Sequence, residues 1–160
     1  MPLHELTAAA LTTATTPYEI VDCDPDLADT AAFCEAYGYD PADSANAIVV
    51  VGKSDPPVHA CCLVLATHRL DVNGVVRKRL GTRKASFANF ADSEVLTGMT
   101  SGGITPVGIT GMPVWVDAAV MGRDRIVIGG GTRDTKIVAP PALLIELGGE
   151  VVDGLANPAS

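Results

Sequence analysis

Between Gly98 and Gly111 the chain places five glycines and one proline among short polar and aliphatic residues. Such a stretch lets backbone N–H groups converge on one point with no side chain in the way, which is the chemistry of an anion site or an oxyanion hole. The same composition also suits a long surface loop that needs several turns of positive φ, and glycine content does not separate the two. A second run, Ile128-Gly129-Gly130-Gly131-Thr132-Arg133, invites a phosphate-loop reading but lacks the Gly-Lys-Ser/Thr ending that contacts phosphate and magnesium. It reads instead as a tight hairpin, with Arg133 available to a negatively charged partner.

Side-chain nucleophiles are poorly supported. There is no Gly-x-Ser-x-Gly elbow, and His4, His59 and His68 have no serine or cysteine partner at motif spacing. Cys34 and Cys62 are expected on buried faces, where thiols are structural, and His68 is expected at the surface of a strand end. No Cys-x-x-Cys or His-x-x-x-His pair completes a tetrahedral site, so no metal is expected. His59-x-Cys61 lacks the glutamate and the Pro-Cys-x-x-Cys of a zinc deaminase.

The elements that must position these loops follow from periodicity and punctuation. Residues 7–17 form a helix or a loose lead-in, and Tyr18 to Cys23 an edge strand. Asp24-Pro25 then opens a helix with Leu27, Ala31 and Cys34 on one face and Gly38 as its left-handed stop. Ala45 to Gly52 and His59 to Thr67 make an antiparallel pair across the turn at 53–57. Asp71 caps a helix that buries Val72, Val75, Val76 and Leu80, turns Arg77 and Lys78 outward and ends at Gly81. Lys84 to Ala88 reads as a strand, and Asp92 as the cap of a helix ending at Gly98. Val114 to Val120, Arg125 to Ile128 and Lys136 to Ala139 read as three strands of an antiparallel sheet or barrel wall. Pro140-Pro141 opens a last helix carrying Leu143, Leu144 and Leu147, and Val151-Val152 adds a strand. Helices interspersed without regular βαβ alternation favour an α+β fold.

The chain has 160 residues, the size of one domain, and its 48% apolar but only 4% aromatic content predicts an aliphatic core. No apolar run reaches the roughly 20 residues that span a bilayer, and the basic-then-apolar order of a signal peptide is missing, so a cytoplasmic protein with no membrane partner is expected. Four irregularly spaced cysteines predict reduced thiols. A net charge of −8 argues against indiscriminate phosphate binding, DNA included. Residues 69–84 nevertheless collect Arg69, Arg77, Lys78, Arg79, Arg83 and Lys84 against the single acid Asp71, so a local basic patch sits on an acidic body.

From about Tyr18 to Leu155 these segments, in order, resemble the YbaK/ProX family of aminoacyl-tRNA editing proteins, related to the editing insertion of prolyl-tRNA synthetases. The most specific element is Gly102-Gly103-Ile104-Thr105-Pro106-Val107-Gly108. Asp24-Pro25, the strand Ala45-Asn46-Ala47-Ile48-Val49-Val50, the run Thr67-His68-Arg69-Leu70-Asp71 and the turn Ile128-Gly129-Gly130-Gly131 support it by order and spacing. The resemblance implies a small mixed, largely antiparallel β-barrel flanked by helices, with residues 1–17 as a lead-in and 18–160 as one editing domain. It implies a deacylase without cofactor that hydrolyses the ester of a mischarged tRNA, prolyl-type, carrying a small amino acid. Its partners would be the acceptor end of an aminoacyl-tRNA and an aminoacyl-tRNA synthetase. Gly102 and Gly103 would donate to the oxyanion and Asn46 would orient the substrate. Thr105, Pro106, Gly129, Gly130 and Arg133 would line its site, and Arg77, Lys78 and Arg79 would hold the tRNA. Relatives commonly carry lysine at the position of Asn46, and a Ser-Gly-Gly turn followed by Arg-Gly at 129–134. These departures leave open a catalytically inactive member that binds tRNA or a synthetase without hydrolysis, and the acidic total charge leaves open a small-molecule binding domain.

Overall fold

The computed structural model describes residues 3–159; Met1 and Pro2 of the expected lead-in and Ser160 of the expected domain lie outside the described residues. In chain order the elements are helix α1 (Glu5–Leu11), strand β1 (Glu19–Asp22), helix α2 (Thr30–Tyr37), strands β2 (Ala45–Gly52), β3 (Val58–Leu65) and β4 (His68–Leu70), helix α3 (Arg77–Leu80), strand β5 (Ala85–Phe87), helix α4 (Phe90–Thr97), strand β6 (Val114–Asp117), helix α5 (Ala118–Met121), strands β7 (Ile126–Gly129) and β8 (Thr135–Ala139), helix α6 (Ala142–Glu146), and strands β9 (Glu150–Val152) and β10 (Ala156–Pro158). They form an open five-stranded sheet of order β5-β2-β3-β6-β9, a three-stranded sheet β1-β8-β7 and a small pair β10-β4.

The sequence of β3 accounts for the layering. Its residues from Ala60 to Leu65 are all buried, a continuous apolar run that is stable only when both faces of a sheet are covered. On one face Leu63 and Leu65 join Val116, Val120, Ile126, Ile128, Ile137, Leu143 and Leu144, so this core lies between the two larger sheets with α6 against it. On the other face Ala60, Cys62 and Val64 meet Val76, Trp115, Val152 and Leu155. The outer side of β8 is closed by α2 and the turn before it, where Phe33 and Cys34 of α2 and Ala28 of the turn pack with Val127 and Val138. Leu11 of α1 reaches the central core, and the Thr7 hydroxyl donates to the Val107 carbonyl at 3.0 Å, so the segment ahead of Tyr18 is packed rather than loose.

Several expectations are met: the edge strand β1, the β2-β3 pair in full eight-residue register, and left-handed stops at Gly38, Gly81 and Gly98. Five need correction. The helix expected from Asp24 is a single 3₁₀ turn, Pro25–Leu27, followed by α2, because the Ala28 carbonyl turns away to accept from the Lys136 ammonium at 2.8 Å. The buried residues of α2 are Phe33 and Cys34, while Ala31 is exposed. Asn89, not Asp92, caps α4: its Oδ1 accepts from the Asp92 N–H at 2.7 Å. The stretch from Val114 breaks into β6 and α5, and β6 runs parallel between β3 and β9 instead of beside β7.

The fifth correction concerns the barrel. The fold is mixed α+β, but the sheets stay open: one isolated bridge, from Ser44 just ahead of β2 to Val127 of β7, links the two larger sheets, and no ladder pairs β2 with β7 among the described residues. A barrel closes only if the stagger between strands is shared all the way round, and here β5 pairs only with Val50 to Gly52, leaving the first half of β2 without a neighbour on that side. Among the described residues no helix is long and apolar enough to cross a membrane.

Candidate active site

The gap left by the unclosed sheets is a cavity of about 460 Å³. Residues 44–49 of β2 and its approach form one wall and Val127 to Gly129 of β7 the facing one. Ala28, Asp29 and Thr30 stand at one end, Ser101, Gly102 and Ile104 at another, and Lys136 at the base. Phe87 and Phe90 stand at the mouth, 58% and 81% exposed in a chain that has few aromatic residues.

The two glycine runs noticed in the sequence are packed backbone to backbone. Gly131 N–H donates to the Gly103 carbonyl at 2.7 Å and Thr100 N–H to the Gly131 carbonyl at 3.1 Å. A Cβ on Gly103 would collide with the Thr132 carbonyl, and one on Gly129 with the Gly103 carbonyl. Both positions therefore require glycine for close approach of backbone to backbone. The loop is held from outside as well, by Glu94 accepting from Ser101 N–H at 2.8 Å and by His4 Nε2 against the Gly98 carbonyl at 2.6 Å.

Of the residues proposed from sequence, Gly102, Asn46 and Gly129 line the cavity together. Gly103 is buried behind them and its N–H donates to the Thr100 carbonyl at 2.9 Å, which removes it from the donors facing a ligand. Gly102, at φ +87°, has no hydrogen bond to its N–H among the described residues. Asn46 is oriented by the Thr30 hydroxyl, which donates to its Oδ1 at 3.0 Å and so leaves the amide NH₂ for a ligand. Thr105 and Pro106 are buried and do not line the cavity; the Thr105 hydroxyl instead accepts from Val107 N–H at 3.4 Å. Gly130 is also set back, its N–H donated to the Thr135 carbonyl. Arg133 lies behind Gly102, with Nε and Nη2 on the Pro25 carbonyl at 3.2 and 2.9 Å.

The basic turn lies apart from the cavity. Asp71 caps it by accepting from Gly74 and Val75 N–H groups at 3.0 and 3.4 Å, and one wide π turn, Val72–Val76, precedes α3. Arg77 is held on the Asn73 and Thr82 carbonyls, and Arg79 pairs with Glu150 while lying 4.9 Å over the Trp115 ring. Lys78 is exposed and has no ion-pair partner among the described residues.

Sequence reasoning missed Lys136, Ser101, Thr30, Phe87 and Phe90. Lys136 carries a visible signal, a charge within the otherwise uncharged strand Thr135–Ala139. Burial pushes its ammonium below the ordinary lysine range. The Ser101 hydroxyl is buried beside Gly102 with no hydrogen-bond partner among the described residues. No property of Ser101 in the sequence separates it from other serines.

The aminoacyl-tRNA editing domain family matches residues 24–147. The chain is similar to the crystal structure of a candidate trans-editing enzyme for prolyl tRNA synthetase, with TM-score 0.81, 24% identity, and 99% of this chain and 100% of that chain covered. The hypothetical protein APE2540 superposes with TM-score 0.84 at 18% identity, over 96% of this chain and 100% of that one. A candidate signal transduction protein from Marinobacter aquaeolei VT8 shares the fold at TM-score 0.66 and 16% identity, over 98% of this chain but 31% of its own length.

Proposed function

Because the chain belongs to the aminoacyl-tRNA editing domain family, we propose that it hydrolyses the ester of a mischarged tRNA in the cavity between β2 and β7, residues 18–160 acting as one editing domain. The observation that carries this reading is the placement of Gly102: its N–H has no acceptor among the described residues, its φ is held at +87°, and it stands at the wall of that cavity. In ester hydrolysis the oxygen of water adds to the carbonyl carbon, the carbon–oxygen bond to the ribose breaks, and a proton returns to the ribose oxygen. Negative charge collects on the carbonyl oxygen between these events. A fixed N–H aimed at that oxygen is worth about 10²- to 10³-fold in rate.

Asn46 presents its amide NH₂ to the ester while Thr30 holds the other end. No side chain is asked to act as nucleophile; water attacks. The terminal adenine stacks at the mouth on Phe87 and Phe90, a contact worth about 1–3 kcal/mol per base and indifferent to sequence. The phosphates behind it are drawn by the patch around Arg77, Lys78 and Arg79, in which Lys78 is exposed and, among the described residues, held neither by a carboxylate nor by a backbone carbonyl. Thr105, Pro106 and Gly130 act one layer back, holding the shape of the glycine loop, and Arg133 pins it. The substrate carries a small amino acid because the cavity of about 460 Å³ has to admit the ribose as well. A prolyl-type tRNA, and a synthetase as the source of the error, fit the resemblance of the glycine loop to that family.

One observation favours the reading without catalysis: the Gly103 N–H is donated within the loop, so the pair of donors expected there is reduced to one. Deacylation separates the two. tRNA for proline charged with alanine, serine or cysteine is expected to lose its amino acid to the protein and to keep it with the Gly102→Pro variant, whose φ cannot be positive. Retention of every ester by the unaltered protein, with tRNA still bound, would leave a binding role in its place.

A further inference from the structure

Lys136 is the only basic residue buried among the described residues, 9% exposed. It sits on the central strand of the three-stranded sheet, opposite Gly129 and Val21, so its side chain is placed by β-pairing on both sides. Its ammonium donates to the Ala28 carbonyl at 2.8 Å and lies 5.3 Å from the centroid of the Phe33 ring. Those are its protein partners; no carboxylate is within ion-pairing distance among the described residues. The charged and titratable groups around it are Asp29, Arg133, Cys23 and Cys34.

A buried charge is ordinarily paired, because desolvation is not recovered by one neutral acceptor. An ammonium has three donors, and here one is used by the protein. The remaining two belong to a residue that lines the cavity together with Gly102 and Asn46. The α-ammonium of an aminoacyl ester is repelled by such a group, and the carbonyl under attack is the business of the glycine loop. What complements a fixed cation at the base is the end of the amino-acid side chain.

We propose, resting on the editing reading above, that Lys136 sets the specificity of the site: it selects aminoacyl esters whose side chain ends in an oxygen acceptor, carboxylate above hydroxyl, over apolar side chains of the same size. The Ala28 carbonyl and the Phe33 ring hold the ammonium in place before substrate arrives, so the acceptor meets an ordered donor. Asp29, 83% exposed at the rim and within 4.0 Å of Arg133, is the acid that the substrate's own ammonium approaches.

The test compares the full chain with Lys136→Met and Lys136→Gln. Methionine has nearly the volume of lysine and removes the buried charge; glutamine keeps a neutral donor if methionine does not fold. Hydrolysis of aspartyl-, seryl- and alanyl-tRNA gives kcat/KM ratios. In parallel, calorimetry with the non-hydrolysable amide-linked 3′-aminoacylamino adenosines of the same three amino acids gives affinities. A charge-assisted hydrogen bond predicts roughly 10- to 100-fold preference for aspartyl and seryl over alanyl, and collapse of that ratio in Lys136→Met with a partial loss in Lys136→Gln. A merely structural lysine would change all three substrates together. Equal treatment of the three by the unaltered protein, or a preference that survives both substitutions, overturns the assignment of Lys136. If no ester is hydrolysed, the editing reading falls, and the affinities of the three amides still decide whether Lys136 selects acceptor-bearing side chains.

Discussion

The guanidinium of Arg133 occupies the space into which a Cβ on Gly102 would project, so a residue of the β7-β8 hairpin presses against the glycine loop at the point where the loop meets the cavity. Substitution at Gly102 therefore has two separable effects. Gly102→Ala carries the strain of φ +87° and displaces Arg133. Gly111→Ala, at φ +82° with no atom within 4 Å of the added methyl, carries the strain alone. Each is expected to cost about 1–2 kcal/mol of stability, read as a lowered melting temperature. Only Gly102→Ala should also lower deacylation, by about 10²-fold, the loss expected for one misplaced oxyanion donor. Equal activity of the two variants would remove Gly102 from the mechanism.

Arg133 acts on the site by position. Its Nη1 reaches the Ser101 carbonyl at 3.5 Å while Nε and Nη2 share the Pro25 carbonyl, so one planar group joins the 3₁₀ turn, the hairpin and the glycine loop. Arg133→Lys keeps the charge but not the fork. Both Arg133→Lys and Arg133→Ala are expected to lower kcat by about tenfold with little change in KM, the pattern of an interaction that matters in the transition state. Rescue by lysine would show that charge, not geometry, is what the position needs.

The long strand pair β2-β3 was legible because both runs are apolar, β-branched in part and separated by a strong turn, and the helix stops were legible because each is a glycine that must adopt positive φ. What escaped depends on contacts made far along the chain. Asp24-Pro25 has every local mark of a helix start, yet Lys136, more than a hundred residues later, takes the Ala28 carbonyl and ends the turn. Asp92 and Asn89 are equally good caps on paper; Asn89 starts the helix because its side chain reaches the Asp92 N–H. The glycine loop stood out by composition, whereas its partner residues did not: Lys136 and Phe87 become site residues only because β2 and β7, which no ladder joins among the described residues, line one cavity.

Glu146 predicts a feature of acid unfolding. Its carboxylate accepts from Thr15 N–H at 2.7 Å and Thr16 N–H at 2.9 Å and from the Thr15 hydroxyl, tying the chain after α1 to α6. These bonds hold its pKa down to about 2, from an ordinary 4.5. A group whose folded pKa lies below its unfolded one contributes fully above the unfolded value and loses that contribution as pH falls towards the folded one. Glu146→Gln, which keeps an acceptor but does not titrate, should flatten the fall of melting temperature between roughly pH 4.5 and pH 2. An unchanged slope would mean that the N-terminal segment is not held by this carboxylate in solution.

Thiol chemistry reports on which layers open. Cys61 and Cys62 are fully buried on β3, and burial raises both thiols, Cys62 to about 12 and Cys61 further. Cys23 and Cys34 are also raised by burial, but they lie in the outer cluster under α2. The thiolate is the reactive form, so a disulfide reagent at pH 8 should modify none of the four rapidly in the native protein and all four in denaturant. Cys23 and Cys34 should label first, by local opening of α2, and Cys61 and Cys62 at the rate of global unfolding. Simultaneous labelling of all four would place α2 in the same cooperative unit as the central sheet.

Binding of the acceptor end should divide into a part that salt removes and a part that it does not. Stacking on Phe87 and Phe90 involves no counterion release, so Phe90→Ala is expected to weaken tRNA binding by about 1–3 kcal/mol without altering the slope of log K against log salt. Lys78 is exposed and has no acidic partner among the described residues, so each phosphate it meets releases counterions; Lys78→Ala should reduce that slope by about one. Arg79 is different, because Glu150 already neutralises it and Trp115 already stacks on it. Arg79→Ala should leave the slope nearly unchanged and lower the melting temperature instead, through lost packing on Trp115. A slope that responds to Arg79 and not to Lys78 would mean that the Glu150 pair opens when tRNA binds, and the acceptor stem would then have to cross the five-stranded sheet at β9 rather than pass beside the exposed end of α3.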